Sequence, residues 1–124
     1  MVKYLVLSLI LLDVALNVVG QLSLKYGMSQ FGNFSVSMET LPPVFLKAAT
    51  NFHVLFGLIC YGLGFMVWLI VLAKAPVSYA YPLISLGYVF TALLARFVIG
   101  EPVTATRMTG IVIICMGVFL VARS

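Results

Sequence analysis

Phe52–Ala73 reads FHVLFGLICYGLGFMVWLIVLA, a stretch without a single Lys, Arg, Asp or Glu. A helix that crosses the hydrocarbon core of a bilayer takes roughly 20 predominantly apolar residues, and this stretch supplies them. Downstream, Lys74-Ala75-Pro76 interrupts it, and a second apolar run follows from about Val77 to Ile99. Gly100-Glu101-Pro102 then precedes a third run, from about Thr106 to Ala122. Upstream lies a run from about Tyr4 to Tyr26, separated from Phe52 by a connection that carries Gly27, Gly32, Asn33, Pro42 and Pro43. Proline, glycine and short polar residues at these points are helix-ending and helix-capping chemistry. The expected fold is an all-α membrane protein, a single domain over residues 1–124. Four transmembrane helices, at about 4–26, 52–73, 77–99 and 106–122, would form an up-down bundle, because the two short connections force antiparallel neighbours.

Composition points the same way. Of 124 residues, 64% are hydrophobic and 8% charged, where a soluble domain carries about a quarter charged. Too few charges are present to cover a water-facing surface. The net charge of +4 is spread along the chain without a basic block, which gives no support to nucleic-acid binding. There is no phosphate loop, no nucleophile elbow and no metal-spaced His/Cys cluster. The expectation is therefore no catalytic residue, no enzyme activity, no cofactor and no metal. Cys60 and Cys115 fall inside apolar runs and read as packing residues, and His53 as an interfacial residue at a helix start. Lys3 before an apolar run resembles a signal peptide. The run nevertheless passes through Asp13, Asn17 and Gln21 to Tyr26 without a small-residue cleavage site, so it is expected to be retained.

Within the long connection, Pro42-Pro43 followed by Val44-Phe45-Leu46-Lys47 suits a short helix over about Pro43–Ala49, lying at the membrane interface. Lys and Arg in the short loops set orientation. One side would hold Lys3, Lys74 and Arg123, and the other Lys47 and Arg107, with Lys25 and Arg96 near helix ends. This near-balance sets no strong topology and permits an inverted pair.

Polar residues inside the spans carry the functional signal. Asp13, Asn17, Gln21 and Lys25 recur every four residues, a slowly winding stripe on one helix face. An acidic residue at mid-membrane costs about 2.5–3.5 kcal/mol on insertion scales, and such residues mark transport paths or glue helices together. In the third span, Ser78, Tyr81, Ser85, Tyr88 and Arg96 share a face. Pro82 removes a backbone donor, so a bend near Ser78 is expected. Lys25 and Arg96 should lie at the same side of the membrane, where two cations suit a phosphate. In the second span, Gly57, Tyr61, Gly64 and Trp68 read chiefly as packing, and Glu101 as a favourable charge before the last helix. Gly110 and Gly117 lie on one face of that helix and suit a contact between protomers.

Three stretches carry a family resemblance. They are Gly20-Gln21-Leu22-Ser23-Leu24-Lys25, Pro76–Glu101 (PVSYAYPLISLGYVFTALLARFVIGE) and, from Gly110, GIVIICMGVFLV. Together they resemble the small multidrug resistance superfamily of four-helix, EamA-like transporters, and within it the ArnE/ArnF type of flippase subunit for aminoarabinose linked to undecaprenyl phosphate. The drug-exporting branch carries a membrane-embedded Glu in its first helix. Counted back from the Gly20–Lys25 segment, Asn17 holds that position here. The departure favours the lipid-flippase branch. The resemblance implies a multi-pass protein of the bacterial inner membrane, working as a homodimer, inverted or not, or as a heterodimer with a related four-helix subunit. Its cargo would be a polyprenyl-phosphate-linked sugar or similar anionic amphipathic lipid. On that reading Lys25 and Arg96 contact the phosphate, and Asp13, Asn17, Gln21, Tyr81, Ser85 and Tyr88 line a polar track. The alternatives are a proton-coupled exporter of small organic cations that titrates Asp13, and a non-transporting membrane subunit of a glycosyltransferase assembly.

Overall fold

The computed structural model describes residues 2–124, with side chains from Tyr4 onward; the Lys3 side chain, counted above for orientation, lies outside the described residues. Among the described residues, four helices are long and apolar enough to cross a membrane: Tyr4–Ser29, Phe52–Lys74, Val77–Ile99 and Ala105–Arg123. The chain is a multi-pass all-α membrane protein.

The first helix, α1 (Val2–Ser29), runs three residues beyond its expected end and is 28 residues long. At about 1.5 Å per residue that is about 42 Å, longer than the hydrocarbon core. Gly27 does not end it. Instead Gly27 is a packing position, where an added Cβ would lie 2.7 Å from Val54 and 2.9 Å from Asn51 Oδ1. The expected short helix is present as α2 (Leu41–Thr50), with its prolines in the first turn, Ala48 buried, and Phe45 and Leu46 exposed. Asn51 then caps α3 (Phe52–Lys74): its Oδ1 accepts from the amides of His53 and Val54, at 2.9 and 3.2 Å. Its Nδ2 donates to Gln30 Oε1 at 2.8 Å. One asparagine thus satisfies two otherwise orphaned helix amides and ties the connection after α1 to the start of α3.

The closest packing is between α1 and α3. Two stripes spaced by seven meet in antiparallel register: Asp13, Gly20 and Gly27 on α1, and Gly64, Gly57 and the Asn51–Val54 start of α3. A Cβ on Gly57 would lie 2.9 Å from the Gly20 carbonyl oxygen, and one on Gly20 would lie 3.2 Å from the Gly57 carbonyl oxygen. Small residues let two membrane helices approach backbone to backbone, and dispersion contacts then replace the missing hydrophobic drive.

The third span is interrupted. It comprises α4 (Val77–Ile84), α5 (Leu86–Leu94) and a π-helical turn over Ala95–Ile99. The expected bend near Ser78 is not where the helix breaks; the break is at Ser85. Pro82 lacks the amide that would reach Ser78, yet the turn before it stays helical. The competition arises at the Pro82 carbonyl, which accepts both the Ser85 hydroxyl and the Ser85 amide. The Tyr88 amide in turn bonds Ser85 O at 2.9 Å. These i→i−3 bonds tighten the chain and separate α4 from α5. Gly100, at φ +85°, closes the π turn in a left-handed conformation that a side chain would strain. Thr104 then caps α6 (Ala105–Arg123) by accepting from the Arg107 amide at 3.1 Å.

A second stripe on α1, Val6-Ile10-Val14-Val18, faces the third span and forms the core with Val71, Ala80, Leu83 and Val118. The helix α6 packs on α4 and α5 and leaves its other face uncovered.

Candidate functional site

Between α1 and the broken span lies an open groove of about 690 Å³, within the range of small-molecule sites. Helix α1 contributes Asn17, Val18 and Gln21, and α3 contributes Tyr61. The opposite wall is Tyr81, Ser85, Tyr88 and Thr91, presented on two successive helical pieces because the chain breaks between them. At one end the wall is closed by Glu101 and Arg107. The groove is apolar in bulk, with convergent hydroxyl and amide groups.

A second, smaller pocket of about 240 Å³ opens beside it and shares Asn17, Tyr61, Tyr81 and Ile84 with the groove wall. Its other lining residues are Asp13, Gly64, Phe65 and Trp68. Asp13 is only 2% exposed. The Asn17 side-chain amide donates to Asp13 Oδ1 at 3.1 Å and to the Asp13 carbonyl at 2.9 Å. The carboxylate sits in the space left by Gly64, whose added Cβ would come 2.8 Å from Oδ1. The Trp68 and Tyr81 rings meet edge to face, with centroids 5.9 Å apart.

Of the residues expected to form a polar track, Asn17, Gln21, Tyr81, Ser85 and Tyr88 line the groove. Asp13 lines the side pocket, and Asn17 and Tyr81 belong to both. The two expected phosphate contacts lie outside the groove wall. Lys25 is exposed at the groove end and paired through Nζ with Glu101 Oε1 at 3.5 Å. Arg96 is exposed on the π turn. The cation on the wall itself is Arg107, whose Nη1 donates to the Pro102 carbonyl at 3.3 Å. Gly110 and Gly117 face outward on α6, with nothing within 4 Å of an added Cβ.

Sequence reading missed Thr91, Glu101 and Arg107 as groove residues, and put packing ahead of cavity lining for Tyr61. Tyr61 reads as packing, and its ring does pack on α1, 3.1 Å from where a Cβ on Gly20 would lie; the same ring also reaches the groove. Glu101 and Arg107 flank a connection so short that both must lie at the same helix ends as Lys25, which is the signal that could have found them. Among the described residues no group of three or more His, Cys, Asp or Glu side chains could hold a metal ion.

A four-helix membrane bundle with an open groove of mostly apolar lining and a few convergent polar groups is an architecture compatible with transport. The EamA-like transporter family matches residues 31–123, and the chain belongs to that family. The chain is 36% identical to the probable 4-amino-4-deoxy-L-arabinose-phosphoundecaprenol flippase subunit ArnE of Pseudomonas savastanoi pv. phaseolicola, over 87% of this chain and 89% of the relative. The protein of the same name from Pseudomonas fluorescens is 36% identical, over 94% and 96%. The corresponding ArnF subunit of Shewanella sediminis is 34% identical, over 93% and 86%. No solved structure matches the chain.

Proposed function

We propose that the chain is one subunit of a flippase that carries a polyprenyl-phosphate-linked amino sugar, or a similar anionic amphipathic lipid, across the bacterial inner membrane, without enzymatic chemistry of its own. The supporting observation is the open groove of about 690 Å³ between α1 and the broken third span, mostly apolar with hydroxyl and amide groups converging on it. A lipid-linked sugar poses an unusual problem: its headgroup must cross about 30 Å of hydrocarbon while its tail belongs there. An open groove answers that problem, since the headgroup slides along hydroxyl and amide partners while the prenyl chain stays in lipid. Asn17, Gln21, Ser85 and Tyr88 form the track, and Tyr81 stacks on the sugar. Lys25 and Arg96 attract the phosphate at the groove end, joined there by Arg107 on the wall.

The groove is bounded on few sides by one chain, so the working unit is a pair, either two copies or this chain with a related four-helix subunit. The relatives are themselves named as subunits of a flippase. The uncovered α6 face with Gly110 and Gly117 is the proposed contact. The test is flux of a lipid-linked amino sugar in proteoliposomes holding this chain alone or with such a partner. Transport that survives Lys25→Ala/Arg96→Ala/Arg107→Ala unchanged sinks the phosphate end.

One observation favours a second reading. The buried Asp13 beside Tyr81 and Trp68 would also suit a proton-coupled exporter of organic cations. That reading requires proton release driven by a free cationic substrate, lost in Asp13→Asn.

A further inference from the structure

We infer that Glu101 is the specificity residue of the groove end, the carboxylate that takes the ammonium group of a zwitterionic headgroup while Lys25 and Arg107 take its phosphate. The inference rests on the flippase reading and deepens it: the groove end selects a prenyl-phosphate headgroup that carries its own cation over one that is purely anionic.

Nothing in the local fold calls for an acid at this place. Glu101 follows directly on the C-terminal end of the third span, where the amides of Gly100 and Glu101 both donate to the Ala95 carbonyl, that of Glu101 at 3.1 Å. Unsatisfied carbonyls make such an end partly negative, so a carboxylate gains nothing from it. Nor does Glu101 serve α6. Thr104 caps that helix, and its first turn holds no acid. Glu101 stands before the cap, beyond the first-turn range of the helix dipole. The carboxylate also stands at the end of a groove that is to receive a phosphate, which its own charge repels. What the structure gives it is a place on the groove wall and a partner, Lys25 Nζ, at 3.5 Å. Its backbone is held from both sides, by the left-handed turn at Gly100 and by the fixed φ of Pro102.

Exchange of ion pairs accounts for the acid. A purely anionic headgroup that takes Lys25 strands Glu101, leaving a carboxylate beside a phosphate. A headgroup with both charges exchanges partners instead: its phosphate takes Lys25 and Arg107, its ammonium takes Glu101, and every charge stays paired. The side chains needed are together at this end. Glu101 and Arg107 line the groove, and Lys25 joins them through its contact with Glu101. Arg107 Nη1 donates to the Pro102 carbonyl at 3.3 Å, which ties the guanidinium to the segment that carries Glu101 and leaves its other N–H groups for a phosphate. The Lys25–Glu101 pair is loose and partly exposed, so giving it up costs little. The two charges of a phosphate-linked amino sugar lie across a single ring, the scale of a site whose acid and base are themselves in contact.

Binding is measured with the full chain in nanodiscs, alone and assembled with a related four-helix subunit. The probes are a prenyl-phosphate-linked amino sugar and the same lipid with its amine N-acetylated, which keeps the phosphate and removes the cation. The unmodified chain should bind the amino lipid about tenfold more tightly than the acetylated one, the scale of one charge-assisted hydrogen bond. Glu101→Gln should abolish that preference by moving the two affinities in opposite directions, weaker for the amino lipid and stronger for the acetylated one. A misfolded variant cannot gain affinity for either, and Glu101→Asp, which keeps the charge, should keep most of the preference. Equal weakening of both lipids by Glu101→Gln assigns the residue to the fold and overturns the inference. A preference that Glu101→Gln leaves intact overturns it too, as does equal binding of the two lipids by the unmodified chain. Each of these outcomes leaves the flippase reading standing. Failure of the unmodified chain to bind either lipid, alone or assembled, overturns the flippase reading and the inference with it.

Discussion

Lys25 Nζ stands 3.5 Å from Glu101 Oε1, joining the end of α1 to the connection before α6 across the mouth of the groove. The pair is partly exposed on both sides, at 57% and 38%. It is thus worth at most about 1 kcal/mol to the fold. Its consequence is electrostatic: if Lys25 takes the proposed phosphate, Glu101 competes with it for that cation. Glu101→Gln should raise affinity for an anionic prenyl phosphate several-fold, and Lys25→Gln should lower it. Both effects should fade at high salt. Titration of the two variants in nanodiscs at low and high ionic strength checks this, and a shift of the same sign in both contradicts it.

The α1–α3 contact makes a sharper claim about stability. A Cβ on Gly57 meets the Gly20 backbone oxygen at 2.9 Å, an atom that cannot swing away. Gly57→Ala should cost about 1–3 kcal/mol through overpacking. Gly62, on the same helix, has nothing within 4 Å, so Gly62→Ala should be neutral or stabilise by about 0.5–1 kcal/mol through reduced backbone entropy. Unfolding midpoints of the two variants in one detergent decide the matter. Equal effects would mean the helices do not approach as described.

That register explains what could and could not be read from the residues alone. The four spans were legible because the membrane requires long apolar helices and the chain offers four of them. The groove-lining residues Asn17, Gln21, Ser85 and Tyr88 were legible because polar groups inside a span are costly unless partnered or facing a cavity. The seven-residue stripe through Asp13, Gly20 and Gly27 was hidden by the more conspicuous stripe of four, since both pass through Asp13. The break at Ser85 was hidden because proline draws attention to its own missing amide, whereas its carbonyl decides where the helix parts. Arg107 was hidden because a cation near a helix start reads as an orientation signal, and only the packing of α6 on the broken span brings it to the groove.

The break itself is testable. The Ser85 hydroxyl and amide both take the Pro82 carbonyl. Ser85→Ala removes the hydroxyl's share and should let the next turn compete for that oxygen, making the third span more continuous. Amide exchange over residues 85–88 should slow, and transport should fall, because Tyr81 and Tyr88 would rotate relative to one another. Slower exchange with undiminished transport would show that the break does not shape the track.

The outer face of α6 carries the last prediction. Gly110, Ile113, Gly117 and Leu120 follow helical spacing, and Ile113 and Leu120 are 62% and 68% exposed. Gly110 and Gly117 have no neighbour within 4 Å within the chain, so bulk added there disturbs no packing of the single bundle. Glycine costs a helix about 0.5–1 kcal/mol relative to alanine, a penalty that close approach of another helix would offset. Gly110→Leu/Gly117→Leu should therefore leave the unfolding midpoint of the isolated chain unchanged or slightly raised, while abolishing association with a second copy or a related subunit. Crosslinking yield in membranes, read beside the thermal midpoint in detergent, separates the two effects. Loss of both would mean that the face serves the fold of the single chain, and retention of both would place the partner on another helix.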